Sequence, residues 1–203
     1  MTIQKNLTTR NFTDKNDSSR IKYIVIHYTG NDGDTAYNNT KYFKTEYRGA
    51  SAHYFVDETS IWQCVLDEDV AWHCGTTGTY YHKECRNTNS IGIELCSKKK
   101  DGKYYIPEET IVNAIELIHY LRQLYNIPME NILRHYDVTH KNCPAPFVEH
   151  KNQWQTFLAR IQSYGEKDSK TECILDKYIE LYGEELVNQA LQRLFEYEEF
   201  LNK

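Results

Sequence analysis

Ile21-Lys22-Tyr23-Ile24-Val25-Ile26-His27-Tyr28, followed by Thr29-Gly30-Asn31-Asp32-Gly33-Asp34, is the stretch on which the fold turns. From Tyr23 to Ile26 every residue is β-branched or aromatic, the pattern of a largely buried strand. The glycines and short polar residues that follow break it into a loop. His27 is thereby left at the carboxyl end of a buried strand. Open α/β sheets bind their ligands at that edge.

Working outward, Ser51 to Asp57 and Ile61 to Val65 read as two further strands, with Asp57-Glu58-Thr59-Ser60 as the hairpin turn between them. Asn89-Ser90-Ile91-Gly92-Ile93-Glu94-Leu95-Cys96 reads as a central strand ending in a carboxylate, and Ile132 to His135 as a short one. Helices are expected over 35–46 and from Pro107 to about Tyr125. The second has Ile111, Ala114, Ile115 and Ile118 as its apolar stripe and acids in its first turn. Another is expected over 149–164. Strands interleaved with helices give an α/β fold, a central mixed sheet flanked by helices. Residues 1–19 are polar and read as a loosely tied leader, and 20–164 as the main domain. Residues 165–170 read as a linker, and 171–203 as a small helical appendage broken at Gly183.

Charge separates these parts. Residues 165–203 hold ten of the 29 acids but only five of the 24 bases, so the first 164 residues are neutral and the tail carries the whole net charge of −5. Neither part has the basic footprint of a nucleic-acid binder. No apolar run approaches the length that crosses a bilayer, and no membrane partner is expected. The first residues lack the apolar core of a signal peptide, so synthesis in the cytoplasm is expected. Two helices of about thirty residues bury little surface alone. The tail is therefore expected to dock on the domain, or to self-associate. The six cysteines are widely spread with no CxxC pair, which reads as buried thiols plus one functional one rather than a disulfide framework.

The functional one is Cys143. Arg134-His135-Tyr136-Asp137-Val138-Thr139-His140-Lys141-Asn142-Cys143-Pro144 places an imidazole and a thiolate candidate eight residues apart with an ammonium group between them. Catalytic zinc keeps three protein ligands and one open position. His135 and Cys143, joined by His27, supply two imidazoles and a thiolate, a donor set that suits that ion. Each residue alone has a duller reading: a capped histidine at a strand end, a buried thiol before proline, a surface lysine. Asp137 reads equally as a partner of a ligand histidine or as a turn former.

Five ordered motifs raise the pattern above its parts. They are Ile24-Val25-Ile26-His27-Tyr28-Thr29, Ser51-Ala52-His53-Tyr54-Phe55-Val56, Ala71-Trp72-His73-Cys74-Gly75, Asn89-Ser90-Ile91-Gly92-Ile93-Glu94 and His135-Tyr136-Asp137 through Lys141-Asn142-Cys143-Pro144. Over about residues 20–162 the chain resembles the zinc-dependent N-acetylmuramoyl-L-alanine amidases of the type-2 class. That class includes phage lysozyme-type amidases, bacterial autolysins and peptidoglycan-recognition proteins. The resemblance implies one zinc ion held by His27, His135 and Cys143, Glu94 as general base and Lys141 steadying the oxyanion. It also implies a substrate cleft lined by Trp72 and His73.

Two positions depart from the family pattern. His53 stands where relatives carry a catalytic tyrosine; strand alternation sends His53 inward to the substrate side and Tyr54 to packing. Ala145 replaces a glycine that commonly follows the motif, so the loop beyond it is expected to differ in shape. The implied substrate is bacterial peptidoglycan or its muropeptides, cut between the lactyl group of N-acetylmuramic acid and L-alanine. The implied setting is an endolysin that acts on the wall after release. A peptidoglycan-binding module without activity and a cytoplasmic recycling amidase are the rival readings. Retention of Cys143, Glu94 and Lys141 together argues against the first.

Overall fold

Residues 1–19, expected as a loosely tied leader, are instead woven into the domain. In this computed structural model, which describes residues 1–183, 185–187, 189, 190 and 193, strand β1 (Ile3–Lys5) lies parallel along residues 61–63. Strand β2 (Phe12–Thr13) lies antiparallel to residues 70–71. Asn11 fixes the segment between them and the body of the fold. Its side-chain amide donates to the carbonyls of Phe43 (2.6 Å) and Glu46 (2.7 Å), and its oxygen accepts from the Arg48 N–H (2.7 Å). The polar composition that suggested a leader is consumed by internal hydrogen bonds, as buried polar groups require.

The chain continues through β3 (Tyr23–Tyr28), α1 (Ala36–Thr45), β4 (Tyr54–Val56), β5 (Ile61–Gln63), β6 (Val70–Ala71) and β7 (Ser90–Leu95). A small hairpin, β8 (Lys98–Lys100) and β9 (Lys103–Tyr105), precedes α2 (Glu108–Tyr125), β10 (Ile132–Arg134), α3 (His135–Thr139), α4 (Ala145–Glu149) and α5 (Lys151–Tyr182). Six strands form one mixed sheet in the order β1-β5-β4-β7-β3-β10, parallel at every pairing except the β4–β5 hairpin. The expected mixed sheet flanked by helices is the fold observed.

Alternation divides the central strands between two faces. Ile24 and Ile26 of β3 and Ile91 and Ile93 of β7 are fully buried on one face, with Tyr54 level with Ile93. Helix α2, which packs on β4 and β7, covers that face with Leu117, Ile118 and Leu121. The opposite face carries Val25, His27, Gly92, Glu94 and Phe55, with His27 and Phe55 both level with Glu94. Helix α1 packs there through Ala36 and Phe43. Strands buried on both faces explain why β3 reads as a continuous apolar run.

The chain divides into two compact units, Met1–Gln162 and Ser163–Lys203. Helix α5 runs unbroken from Lys151 to Tyr182, so the linker expected at 165–170 and the helix expected beyond it form one helix. A single glycine costs a helix only about 1 kcal/mol, and Gly165 stands among residues that favour one. Gly183, at φ +83°, ends α5 at the expected break. The second tail helix, expected over 186–195, falls largely outside the described residues. Among those described, none of the helices is long and apolar enough to cross a membrane.

Candidate metal centre

Parallel pairing brings the site together. In β10 and β3, Arg134 is level with Ile26, so the next residue of each chain segment, His135 and His27, emerge side by side at the carboxyl end of the sheet. Their rings meet edge to face at 4.8 Å. Strand β10 turns at once into the short helix α3, and His140 ends that helix in the left-handed conformation. Asp137 accepts from the Arg134 backbone N–H (2.8 Å) and pairs with its guanidinium (2.7 Å). Asp137 therefore caps the turn and holds Arg134, the second of its two expected roles. The chain then returns so that the Tyr136 N–H donates to the Cys143 carbonyl (2.9 Å). Cys143 Sγ ends 3.6 Å from His27 Nδ1.

Donor atoms of His27, His135 and Cys143 all lie within 4.8 Å of one another, and all three residues are buried. Their chemistry fits a cation. His135 Nδ1 is sealed from solvent with no hydrogen-bond partner, a rare condition for a buried nitrogen unless something else takes its lone pair. Burial, then the neighbouring His73 and His135, hold His27 well below the usual histidine range. Burial and the Lys141 charge bring His135 down to about 4. Both imidazoles are thus neutral and able to ligate. Burial and the nearby Glu94 push the Cys143 thiol up to about 12, so a metal entering here displaces a proton from sulfur. Two imidazoles and one thiol in a buried triangle are the donor set of a three-ligand zinc site.

Glu94 stands beside His27 in register on β7. One of its oxygens, Oε2, is buried without a partner. Burial pushes its carboxyl up to about 8, against the opposing pull of the Lys141 ammonium. Lys141 itself is exposed, yet its charge acts on His27, His135, Glu94 and Cys143 alike. A cavity of about 300 Å³ opens between α1 and the sheet, with Glu94, Thr29, Asn31, Asn39 and Phe55 among its walls.

The three residues expected to contact substrate are placed differently. His53 points inward, as alternation required, but is fully buried. Its Nδ1 accepts from the Gly92 N–H (3.0 Å) and its Nε2 lies 3.3 Å from the Asp69 carbonyl, so both nitrogens are committed to backbone. Tyr54 packs on the other face, donating to Asp67 (2.8 Å). Trp72 donates its indole N–H to Thr13 (3.0 Å) and meets Tyr47 edge-on, so neither contact brings it to the triangle. His73 does reach the triangle: its Nδ1 is 3.0 Å from His27 Nε2. Ala145 opens α4 in place of the expected glycine, and that position does not have a positive φ. Asn87, which no sequence motif marks, accepts through its side-chain oxygen from the backbone N–H groups of His73 (3.1 Å) and Cys74 (2.7 Å). A glycine in mid-strand, Gly92, was the available signal that something approaches closely there.

Several known proteins are similar to this chain. A family model described as N-acetylmuramoyl-L-alanine amidase matches residues 17–146. A probable N-acetylmuramoyl-L-alanine amidase of Bacillus licheniformis is 40% identical over 150 residues, covering 70% of this chain and 42% of that protein. The chain thus spans less than half the length of the first curated relatives it matches. Among solved structures, PlyL superposes with a TM-score of 0.67 at 27% identity, over 79% of this chain and 97% of that one. The PlyG catalytic domain gives 0.67 at 28% identity, over 81% and 96%.

Proposed function

Since this chain belongs to the N-acetylmuramoyl-L-alanine amidase family, we propose that it hydrolyses the amide joining the lactyl group of N-acetylmuramic acid to L-alanine in peptidoglycan. The observation that carries the reading is the buried triangle of His27, His135 and Cys143 with Glu94 beside it. Zinc held by those three residues would supply a Lewis acid that activates water and polarises the scissile carbonyl. Glu94 takes the proton of the attacking water and returns it to the leaving amine. Its partnerless oxygen and its raised proton affinity suit both halves of that task. Lys141 brings a positive charge to the oxyanion that forms on the carbonyl.

Bacterial peptidoglycan or its muropeptides would be the partner, and an endolysin acting on the wall after release is the setting that fits. Self-association through the region 171–203 belongs to the same proposal, and a monomeric mass for the full chain in light scattering would remove it. Mass spectrometry of purified sacculi tests the activity. Digestion should release stem peptides with a free N-terminal alanine, and a chelator should stop it. Glu94→Ala should keep zinc and lose cleavage by about 10²–10⁴-fold. Release of the same peptides at the wild-type rate by that variant would refute the base assignment.

A further inference from the structure

We infer that Ser90 and His73 form a proton-ordering relay that fixes the tautomer of His27, so that its Nδ1 lone pair faces the triangle. Ser90 Oγ lies 2.7 Å from the Arg86 carbonyl, which can only accept, so the single hydroxyl proton is spent there. His73 Nε2 lies 3.1 Å from the same Oγ. With that oxygen's proton committed, His73 Nε2 must carry the hydrogen and donate it. A neutral imidazole has one N–H, so His73 Nδ1 is bare. That atom lies 3.0 Å from His27 Nε2, which must therefore be the donor. His27 Nδ1 is left bare, 3.6 Å from Cys143 Sγ. The opposite tautomer would set two lone pairs against each other at Ser90 and aim an N–H into the triangle.

The surroundings hold the relay in place. Asn87 pins the backbone on either side of the His73 peptide. Gly92 lets the ring lie flat on the strand: a Cβ there would stand 2.5 Å from His73 Cγ. The Cys74 thiol, 3.9 Å from Ser90 Oγ, meets a lone pair that the relay leaves over. His73 is therefore a positioning residue acting through His27. Ligand histidines are oriented by such partners, whose loss costs about 10–100-fold in metal affinity.

This inference rests on the metal reading above, and its test separates the two. Nitrogen-15 NMR of the full chain, freed of metal, reads each imidazole tautomer directly. The expected result is His27 protonated at Nε2 in the wild type and a mixture of both tautomers in Ser90→Ala, with Ser90→Thr restoring the single form. Zinc affinity, measured by competition with a chromogenic chelator, should fall about 10–100-fold in His73→Ala and less in Ser90→Ala. Protonation of His27 at Nδ1 in the wild type, or wild-type zinc affinity in both weakened variants, would overturn the relay. If the wild-type chain took up no zinc, the metal reading would fail, and the tautomer of His27 would still decide this one.

Discussion

Two polar clusters occupy opposite faces of the same sheet, and they are wired by different rules. Around Asp67 both carboxylate oxygens have donors. Its carboxylate accepts from Tyr54 (2.8 Å), Gln63 (3.0 Å) and Tyr125 (2.7 Å), and Arg20 donates to its backbone carbonyl (2.8 Å). Around His27 the wiring is complete on one side, through His73 and Ser90, and stops on the other. There His135 Nδ1 and Glu94 Oε2 are buried with nothing to bond. A closed network stabilises a fold, whereas an open one spends stability to keep lone pairs available. The two faces of one sheet show both choices.

Breaking each cluster should expose that difference. The largest effect belongs to the ion itself. Zinc at about 100–1,000 times its dissociation constant should stabilise the wild type by roughly 3–4 kcal/mol. Cys143→Ser should lose that gain while changing the metal-free fold by under about 1 kcal/mol. Thermal melts with and without chelator check both, and an undiminished zinc response in the variant would remove Cys143 from the site.

On the closed face, Asp67→Ala removes the shared acceptor of Tyr54, Gln63 and the half-buried Tyr125 and should cost about 2–4 kcal/mol in urea unfolding, without altering zinc affinity. A loss below about 0.5 kcal/mol, the level of an ordinary surface change, would show that network to be ornamental. Next comes Gly92→Ala. It forces the His73 ring off the strand, so overpacking should cost about 1–3 kcal/mol, and zinc affinity should fall with it. Stability lost with affinity unchanged would uncouple the ring from the site.

The smallest expected effect is a slope against pH. Glu94 holds its proton up to about 8 in the metal-free fold, whereas an unfolded chain releases it near 4.3. Between those values the folded state binds the extra proton. Its contribution is therefore fully present below the lower value and is lost as pH rises through the higher. Metal-free wild type should weaken by on the order of 1–3 kcal/mol from pH 5 to 8, and Glu94→Gln should flatten that slope. Equal slopes in urea titrations of the two proteins would contradict the raised affinity.

Much of this was legible in the chain because the determinants are local. The apolar run of β3, the alternation of β7 and the apolar stripe of α2 behind its first-turn acids each announce their element within a dozen residues. The triangle was legible for a related reason, since two of its ligands lie eight residues apart in one segment and the third closes a buried strand. What escaped notice depends on distant partners. Three residues of β1 carry too little pattern to predict a strand whose neighbour lies at 61–63. Alternation placed His53 inward correctly, but no local rule says that the Gly92 and Asp69 backbones claim both its nitrogens. The hydrogen bond from His27 to His73, 46 positions apart, has no local signal either. At 165–170 a polar run with one glycine looked like a break, where the helix tolerates both.

Strand β10 gives the metal reading a mechanical side. It is three residues long and forms the edge of the sheet, held along one flank only, by β3. Edge segments of that length open at low free energy and exchange their amide hydrogens early. The triangle ties the end of β10 to the end of β3 and to the returning loop at Cys143, so a bound cation would act as a clasp across the sheet's free margin. Hydrogen exchange should slow first at Ile132–Arg134 when zinc is added, while the interior of β7 stays as protected as before.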